Sequence, residues 1–128
     1  MSNYSKRGWQ KRKDDRAGYA EFFQKHISII KKNKECCSEC GERLKGHVSE
    51  VAHILPKSYF KSVATNDNNI LYLCGMFSTK QCHSKFDDCS LENFKKMKSY
   101  IKVSEKFRIL EKNIKEKMPY KVHIRFTN

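Results

Sequence analysis

The chain has 128 residues, with 27 Lys+Arg against 14 Asp+Glu for a formal net charge of +13, and 38% of its residues are hydrophobic. That length accommodates one domain with a modest core, and the positive balance favours a polyanionic partner, because each neutralised phosphate releases counterions. No long apolar run, signal-type apolar stretch or lipidation motif is present, which argues against a membrane and for nucleic acid in a reducing, cytoplasmic compartment.

Residues 1–16 are polar and carry Lys6, Arg7, Lys11, Arg12, Lys13 and Arg16 around Trp9. They read as a flexible basic arm, either a solvated tail or a segment that orders on nucleic acid. Residues 17–128 read as a single domain. From Arg16 to Lys32 the positions Tyr19, Phe22, Phe23, His26, Ile27 and Ile30 fall at helical spacing and predict an amphipathic helix. Asp14 and Asp15 are placed for its N-cap and first turn, and Lys31, Lys32 and Lys34 for its last. His26, on the apolar stripe, reads as a packed residue.

Residues 36–46 are turn-rich, with Gly41 directly after Cys40. His47 to Ile54 predicts a strand ended by Pro56, residues 57–69 a polar loop, Ile70 to Leu73 a short second strand, and residues 80–89 a short helix. Ser90 is placed to cap a long helix from Leu91 to about Lys117, stopped by Pro119. Tyr120 to Phe126 then alternates, which predicts a strand with one apolar and one basic face.

The chain has six cysteines. In a reducing compartment, Cys37-x-x-Cys40 reads as half of a metal site, and Cys74 with Cys82 as the other half. Four thiolates suit the closed tetrahedral geometry of structural Zn²⁺, whose binding free energy is folding free energy for a small core. Cys36 offers a slipped register in place of Cys37, and Cys89 reads as a free or core cysteine.

Among these cysteines lie Ala52-His53-Ile54-Leu55-Pro56-Lys57-Ser58, then Asn69-Ile70-Leu71-Tyr72-Leu73-Cys74, then Cys82-His83-Ser84-Lys85-Phe86-Asp87. This ordered His, Asn, His series resembles the HNH endonucleases, in the zinc-knuckle form common among phage and mobile-element nucleases. The resemblance runs from about Cys36 to Asp87, within a motif core at 36–89. It implies an α+β fold, in which a ββα-metal hairpin and helix are stapled by the four-cysteine zinc site and flanked by an N-terminal and a long C-terminal helix. The segment Gly75 to Gln81 is then an inserted loop in the second knuckle. It also implies an intracellular hydrolase (in the host cytoplasm if phage-encoded) that nicks or cuts DNA with Mg²⁺ or Mn²⁺, as a monomer or homodimer. In that scheme His53 is the general base, Asn69 holds the loop and orients the base, and His83 ligates the cation. Asp87, at i+4 from His83, shares its helix face and joins it as a ligand. Asn66 and Asn68 compete with Asn69 for the register.

The chain departs from the family pattern at Ala52, where many such enzymes carry an Asp or His that binds the cation. Glu50 on the same strand face, His47 after a bend, or His53 itself are alternative donors. Lys57, Lys61, Lys80 and Lys85 surround the motif and are expected to contact phosphates, which position a substrate without reading bases. The competing reading is a zinc-stabilised DNA-binding or regulatory module without turnover, favoured by Ala52. A zinc-tied protein adaptor is a third class, for which a charge of +13 has no use.

Overall fold

The computed structural model describes residues 6–127, with side chains from residue 18 onward. The segment expected to be a basic arm therefore lies partly outside the described residues, and its side chains, Trp9 among them, wholly so. The helix expected from Arg16 begins ten residues earlier in chain order: α1 spans Lys6–Asn33. Asp14 and Asp15 thus fall inside the helix rather than at its cap. Its apolar stripe buries Phe22, His26, Ile27 and Ile30, and Lys31 and Lys32 occupy the last turn, where cations complement the helix dipole.

The strands are shorter than the residue pattern predicts. β1 covers Val51–His53 and β2 covers Ile70–Tyr72, paired antiparallel with Ala52 opposite Leu71 and His53 opposite Ile70. The expected strand start at His47 is instead a 3₁₀ turn over Val48–Glu50, closed by a capping box between His47 and Glu50. Glu50 is buried, and its carboxylate accepts the backbone N–H groups of Lys45, Gly46 and His47 at 2.9, 2.7 and 2.8 Å. A carboxylate surrounded by backbone donors makes a turn there, and β-pairing starts only after it.

α2 spans Cys82–Asp88, as expected for a short helix. The long helix expected after Ser90 is interrupted. Ser90 does cap a helix, its side chain accepting from Asn93 N–H, but this α3 ends at Lys95, and α4 runs separately over Tyr100–Leu110. The cause lies about sixty positions away: the Glu39 carboxylate accepts Lys98 N–H at 2.9 Å, Ser99 N–H at 3.0 Å and the Ser99 hydroxyl at 2.9 Å. An external carboxylate at these donors starts a new helix.

The expected C-terminal strand is a helix, α5 (Tyr120–Thr127). Pro119 opens it, its carbonyl accepting Val122 and His123 N–H at 3.1 and 3.0 Å. Alternation misleads here because α5 packs on helices rather than a sheet edge. Phe126 is the one fully buried residue of α5, stacked on Phe107 at 5.0 Å and edge-on to Phe94 at 5.7 Å.

The core lies between α1, the hairpin, α4 and α5, where Ile30, Leu55, Phe60, Leu71, Phe94 and Phe107 are 1% exposed or less. One polar network ties α1 to the hairpin. His26 sits 3.0 Å from Asp67 through Nε2 and 2.6 Å from the Tyr72 hydroxyl through Nδ1, so Nε2–H donates to the carboxylate and Nδ1 accepts from the phenol. Burial lowers the His26 pKa and pushes Tyr72 up to about 12, which keeps both neutral. This bears out a packed role for His26.

Candidate functional site

Two donor sets flank α2. The first is the cysteine cluster. Gly41, at φ +80, closes the turn after Cys40 in a conformation that a side chain disfavours, and its N–H donates to Cys37 O at 3.0 Å. Ser38 N–H donates to Tyr72 O at 2.9 Å, which docks this turn beside the end of β2, next to Cys74. Cys82 opens α2, and its N–H lies 3.3 Å from Cys74 Sγ.

The sulfurs of Cys37, Cys40, Cys74 and Cys82 consequently all lie within 4.8 Å of one another. A Zn–S bond of about 2.3 Å places tetrahedral sulfurs about 3.8 Å apart, and Cys40 and Cys74 Sγ are 3.8 Å apart. The donor set fits a metal ion such as zinc. Burial raises the Cys40 and Cys82 thiols, whereas at Cys37 it is outweighed by N–H groups such as those of Glu39 and Cys40, 3.4 Å away, which lower the pKa. Cys36 is exposed and outside the cluster, so the slipped register is not used. Cys89, half-buried, donates its S–H to Phe86 O at 3.3 Å.

The second set lines an open cleft of about 730 Å³ between the hairpin, α1, α2 and α5. His53, His83, Asp87 and Lys57 all face it. His53 is the last residue of β1, wedged against the rings of Phe22 and Phe23 at 6.3 and 5.5 Å. Its Nε2 lies 2.8 Å from Ala64 O. A carbonyl only accepts, so Nε2 carries the proton and Nδ1 keeps its lone pair. Burial lowers the His53 pKa, more than the Ala64 carbonyl raises it, so the ring is neutral near pH 7.

The loop that ends at Ala64 is held by Asn69, which bonds the carbonyl of the preceding residue, Val63. This side chain is fully buried; Oδ1 accepts Leu55 N–H at 2.7 Å, and Nδ2 donates to Leu55 O at 3.1 Å and Val63 O at 3.2 Å. Asn69 clamps both ends of the loop over His53 without touching the ring. Asn66 and Asn68 are elsewhere: the Asn66 side chain caps the 3₁₀ turn Asp67–Asn69 by accepting Asn68 N–H.

His83 follows Cys82 on α2. Its Nδ1 donates to Ser49 O at 2.6 Å, and Nε2 faces Asp87 Oδ2 at 3.2 Å, as the i+4 spacing requires. The Asp87 carboxylate raises the His83 pKa, against the effect of burial. A cation and a proton therefore compete for the same pair. His83 and Asp87 offer two donors; among the described residues no third His, Cys, Asp or Glu completes a convergent set there.

Of the alternative donors named for the Ala52 position, Glu50 and His47 are engaged otherwise, whereas His53 keeps Nδ1 open. Ala52 is fully buried in the core, and Glu50 serves as the turn anchor described above. His47 Nδ1 accepts Ser49 N–H at 3.1 Å, and its ring packs edge-on to Phe77 at 4.9 Å. The four lysines do not share one face. Lys57 borders the histidine cleft with its ammonium 5.0 Å from the Phe23 ring, whereas Lys80 and Lys85 border a separate cavity beside Cys40 and Cys82, and Lys61 is exposed on the 3₁₀ turn Lys61–Val63.

Arg125 was not legible as part of this site, because its segment alternates like a strand. From α5 its guanidinium donates to Cys89 O at 3.0 Å and Phe86 O at 3.2 Å, capping the C-terminus of the helix that carries His83 and Asp87. The carbonyls of Ser49 and Ala64, which set the histidine tautomers, have no side-chain signal at all. Among the described residues no helix is long and apolar enough to cross a membrane. The chain matches no family model, no curated protein and no solved structure.

Proposed function

We propose that this protein is a metal-dependent endonuclease of HNH type that hydrolyses DNA phosphodiester bonds, with zinc in the cysteine cluster as a structural staple. The observation that carries the reading is the oriented pair of histidines in one cleft. His53 presents an unprotonated Nδ1 because Ala64 O holds its other nitrogen, and His83 presents Nε2 beside Asp87 because Ser49 O holds Nδ1.

His53 Nδ1 takes a proton from water as the water oxygen bonds to phosphorus. The P–O bond opposite then breaks, and the departing alkoxide gains a proton from solvent. Asn69 keeps the loop, and so the Ala64 carbonyl, in place while the ring charges. His83 and Asp87 would hold Mg²⁺ or Mn²⁺, which stabilises negative charge on the phosphate and leaving oxygens. Two protein donors suit a hard cation that keeps several waters. Lys57, at the rim, supplies positive charge toward a phosphate.

A non-cleaving DNA-binding module is the second reading, favoured by the apolar, buried Ala52 and by the lack of a third donor among the described residues. Conversion of supercoiled plasmid to nicked or linear form separates the two. It is measured in EDTA, Mg²⁺ or Mn²⁺, beside His53→Ala and His83→Ala proteins of equal zinc content. Cation-dependent cutting lost in both variants is the expected result. Binding without cutting under every cation overturns the nuclease reading.

A further inference from the structure

The turn at Gly75–Ser78 is built unlike an ordinary surface turn. Ser78 N–H donates to Gly75 O at 3.0 Å, which leaves Met76 and Phe77 at the two apex positions. Apex positions of turns usually hold Gly, Pro, Asn or Asp. Here they hold two large apolar side chains, 63% and 60% exposed.

The apex is nevertheless pinned. Gly75 is packed so tightly that a Cβ there would lie 2.1 Å from Ser49 Oγ and 2.7 Å from Ser49 O. Met76 N–H donates to Ser49 Oγ at 3.1 Å, and the buried Ser78 hydroxyl donates to the Glu42 carboxylate at 2.5 Å. Lys45 Nζ donates to Phe77 O at 3.3 Å and lies 5.8 Å from the Phe77 ring centroid. A turn held by three backbone hydrogen bonds and one from the Ser78 hydroxyl, with its two apolar side chains still more than half exposed, has a presented surface, not a frayed loop.

The position of this surface is also specific. Ser49, which anchors the turn, is the residue whose carbonyl orients His83, and Val48, 46% exposed, lines the histidine cleft. Lys45, exposed, lies beside the apolar apex, and the exposed Lys80 follows the turn two residues on in the chain. An apolar, aromatic tip set among ammonium groups matches a nucleic acid whose bases are open: the phosphates meet the lysines and a base face meets the ring. A protein partner with an apolar patch would leave those lysines unused.

We infer that the Gly75–Ser78 turn is a base-stacking wedge, with Phe77 and Met76 packing on unstacked nucleobases beside the cleft, so that the preferred substrate is DNA that is single-stranded, bubbled or branched at the cut site. The inference deepens the proposed function by naming its substrate class, and it is tested by binding rather than by cleavage. Fluorescence anisotropy in EDTA compares duplex DNA with the same duplex carrying a central bubble that contains 2-aminopurine. The proteins are wild type, Phe77→Ala, Phe77→Leu and, as an exposed apolar control, Ile101→Ala.

Wild type and Ile101→Ala are expected to favour the bubble and to quench 2-aminopurine. Phe77→Ala loses about tenfold or more of bubble affinity, with duplex affinity changed less than about twofold. Phe77→Leu keeps the apolar bulk and the fold but loses the quench. Equal affinity of wild type for both DNAs, or equal loss on both in the variants, overturns the wedge. So does sedimentation showing that Phe77→Ala converts a dimer to a monomer without changing DNA preference, because the apex then covers a second copy. A wild type that prefers and quenches the bubble yet cuts neither that bubble nor plasmid with Mg²⁺ or Mn²⁺ leaves the wedge standing and removes the nuclease.

Discussion

Helix α2 carries a residue of each donor set side by side, Cys82 and His83, and the two sets are finished to different degrees. Around Cys82, four sulfurs lie within 4.8 Å of one another, with backbone N–H groups already directed at Cys37 and Cys74. Nothing further is needed to close a tetrahedral shell, which is the mark of a structural site. Around His83, only Asp87 joins among the described residues, at 3.2 Å, and the remainder opens into a cleft shared with His53. An incomplete shell leaves positions for water and substrate. The same short helix thus separates a candidate staple from a candidate centre for chemistry by one residue.

Removing the staple is the sharpest way to test this division. Cys82→Ser should abolish cooperative unfolding altogether. A structural zinc contributes on the order of 10–16 kcal/mol of apparent binding free energy, as much as a small domain's whole stability of about 5–15 kcal/mol. Thermal melts followed by circular dichroism, with chelator added to the wild type as a parallel, check this. A Cys82→Ser protein that melts like wild type would remove the cluster from the folding account.

His53→Ala should behave in the opposite way. On the proposed nuclease reading turnover drops by about 10²- to 10⁴-fold, while the melt shifts little, because the ring's hydrogen bond is to a loop carbonyl. Asn69→Ala tests the support beneath it. The substitution leaves Leu55 N–H, Leu55 O and Val63 O without their partner, for a loss of about 2–4 kcal/mol in urea unfolding. On the proposed nuclease reading turnover should fall with it, since the loop that brings the Ala64 carbonyl to His53 loses its bond at Val63.

Arg125→Leu probes whether α5 positions the cleft. Losing two charge-assisted bonds to the α2 C-terminus should cost about 2 kcal/mol. Mn²⁺ affinity, read by paramagnetic relaxation, should fall several-fold relative to the cysteine-bound metal, which is expected to stay in place.

The smallest effect is titration without added Mg²⁺ or Mn²⁺, followed by NMR of the imidazole rings. Burial should put His53 and His26 below the ordinary 6.5, and Asp87 should put His83 above it. The signs for stability then differ. For His53 and His26 the unfolded chain binds the proton more readily, so their contribution is lost as pH falls below 6.5. For His83 the folded state binds it more readily, so its contribution is present below 6.5 and lost as pH rises through its raised value. Cutting should weaken on the acid side as His53 becomes protonated. A His53 that titrates above 6.5 would break the assignment of a neutral base.

Several features were decided by residue type and spacing alone. The four clustered cysteines, the hairpin of β1 and β2, the short α2, and the buried face of α1 all follow from local patterns: thiol pairs, apolar runs bounded by polar loops, and helical periodicity. The i+4 approach of Asp87 to His83 is likewise a property of any helix.

Tertiary structure decided what local pattern does not encode. Glu39 divides the expected long helix because it reaches Lys98 and Ser99 from the cysteine turn. Glu50 is withdrawn from any cation because it closes its own turn. The alternating residues 120–126 form a helix because Phe126 finds Phe94 and Phe107 rather than a neighbouring strand. The tautomers of His53 and His83 are set by the carbonyls of Ala64 and Ser49. Every residue carries a carbonyl, so only the path of the folded chain determines which one a histidine meets.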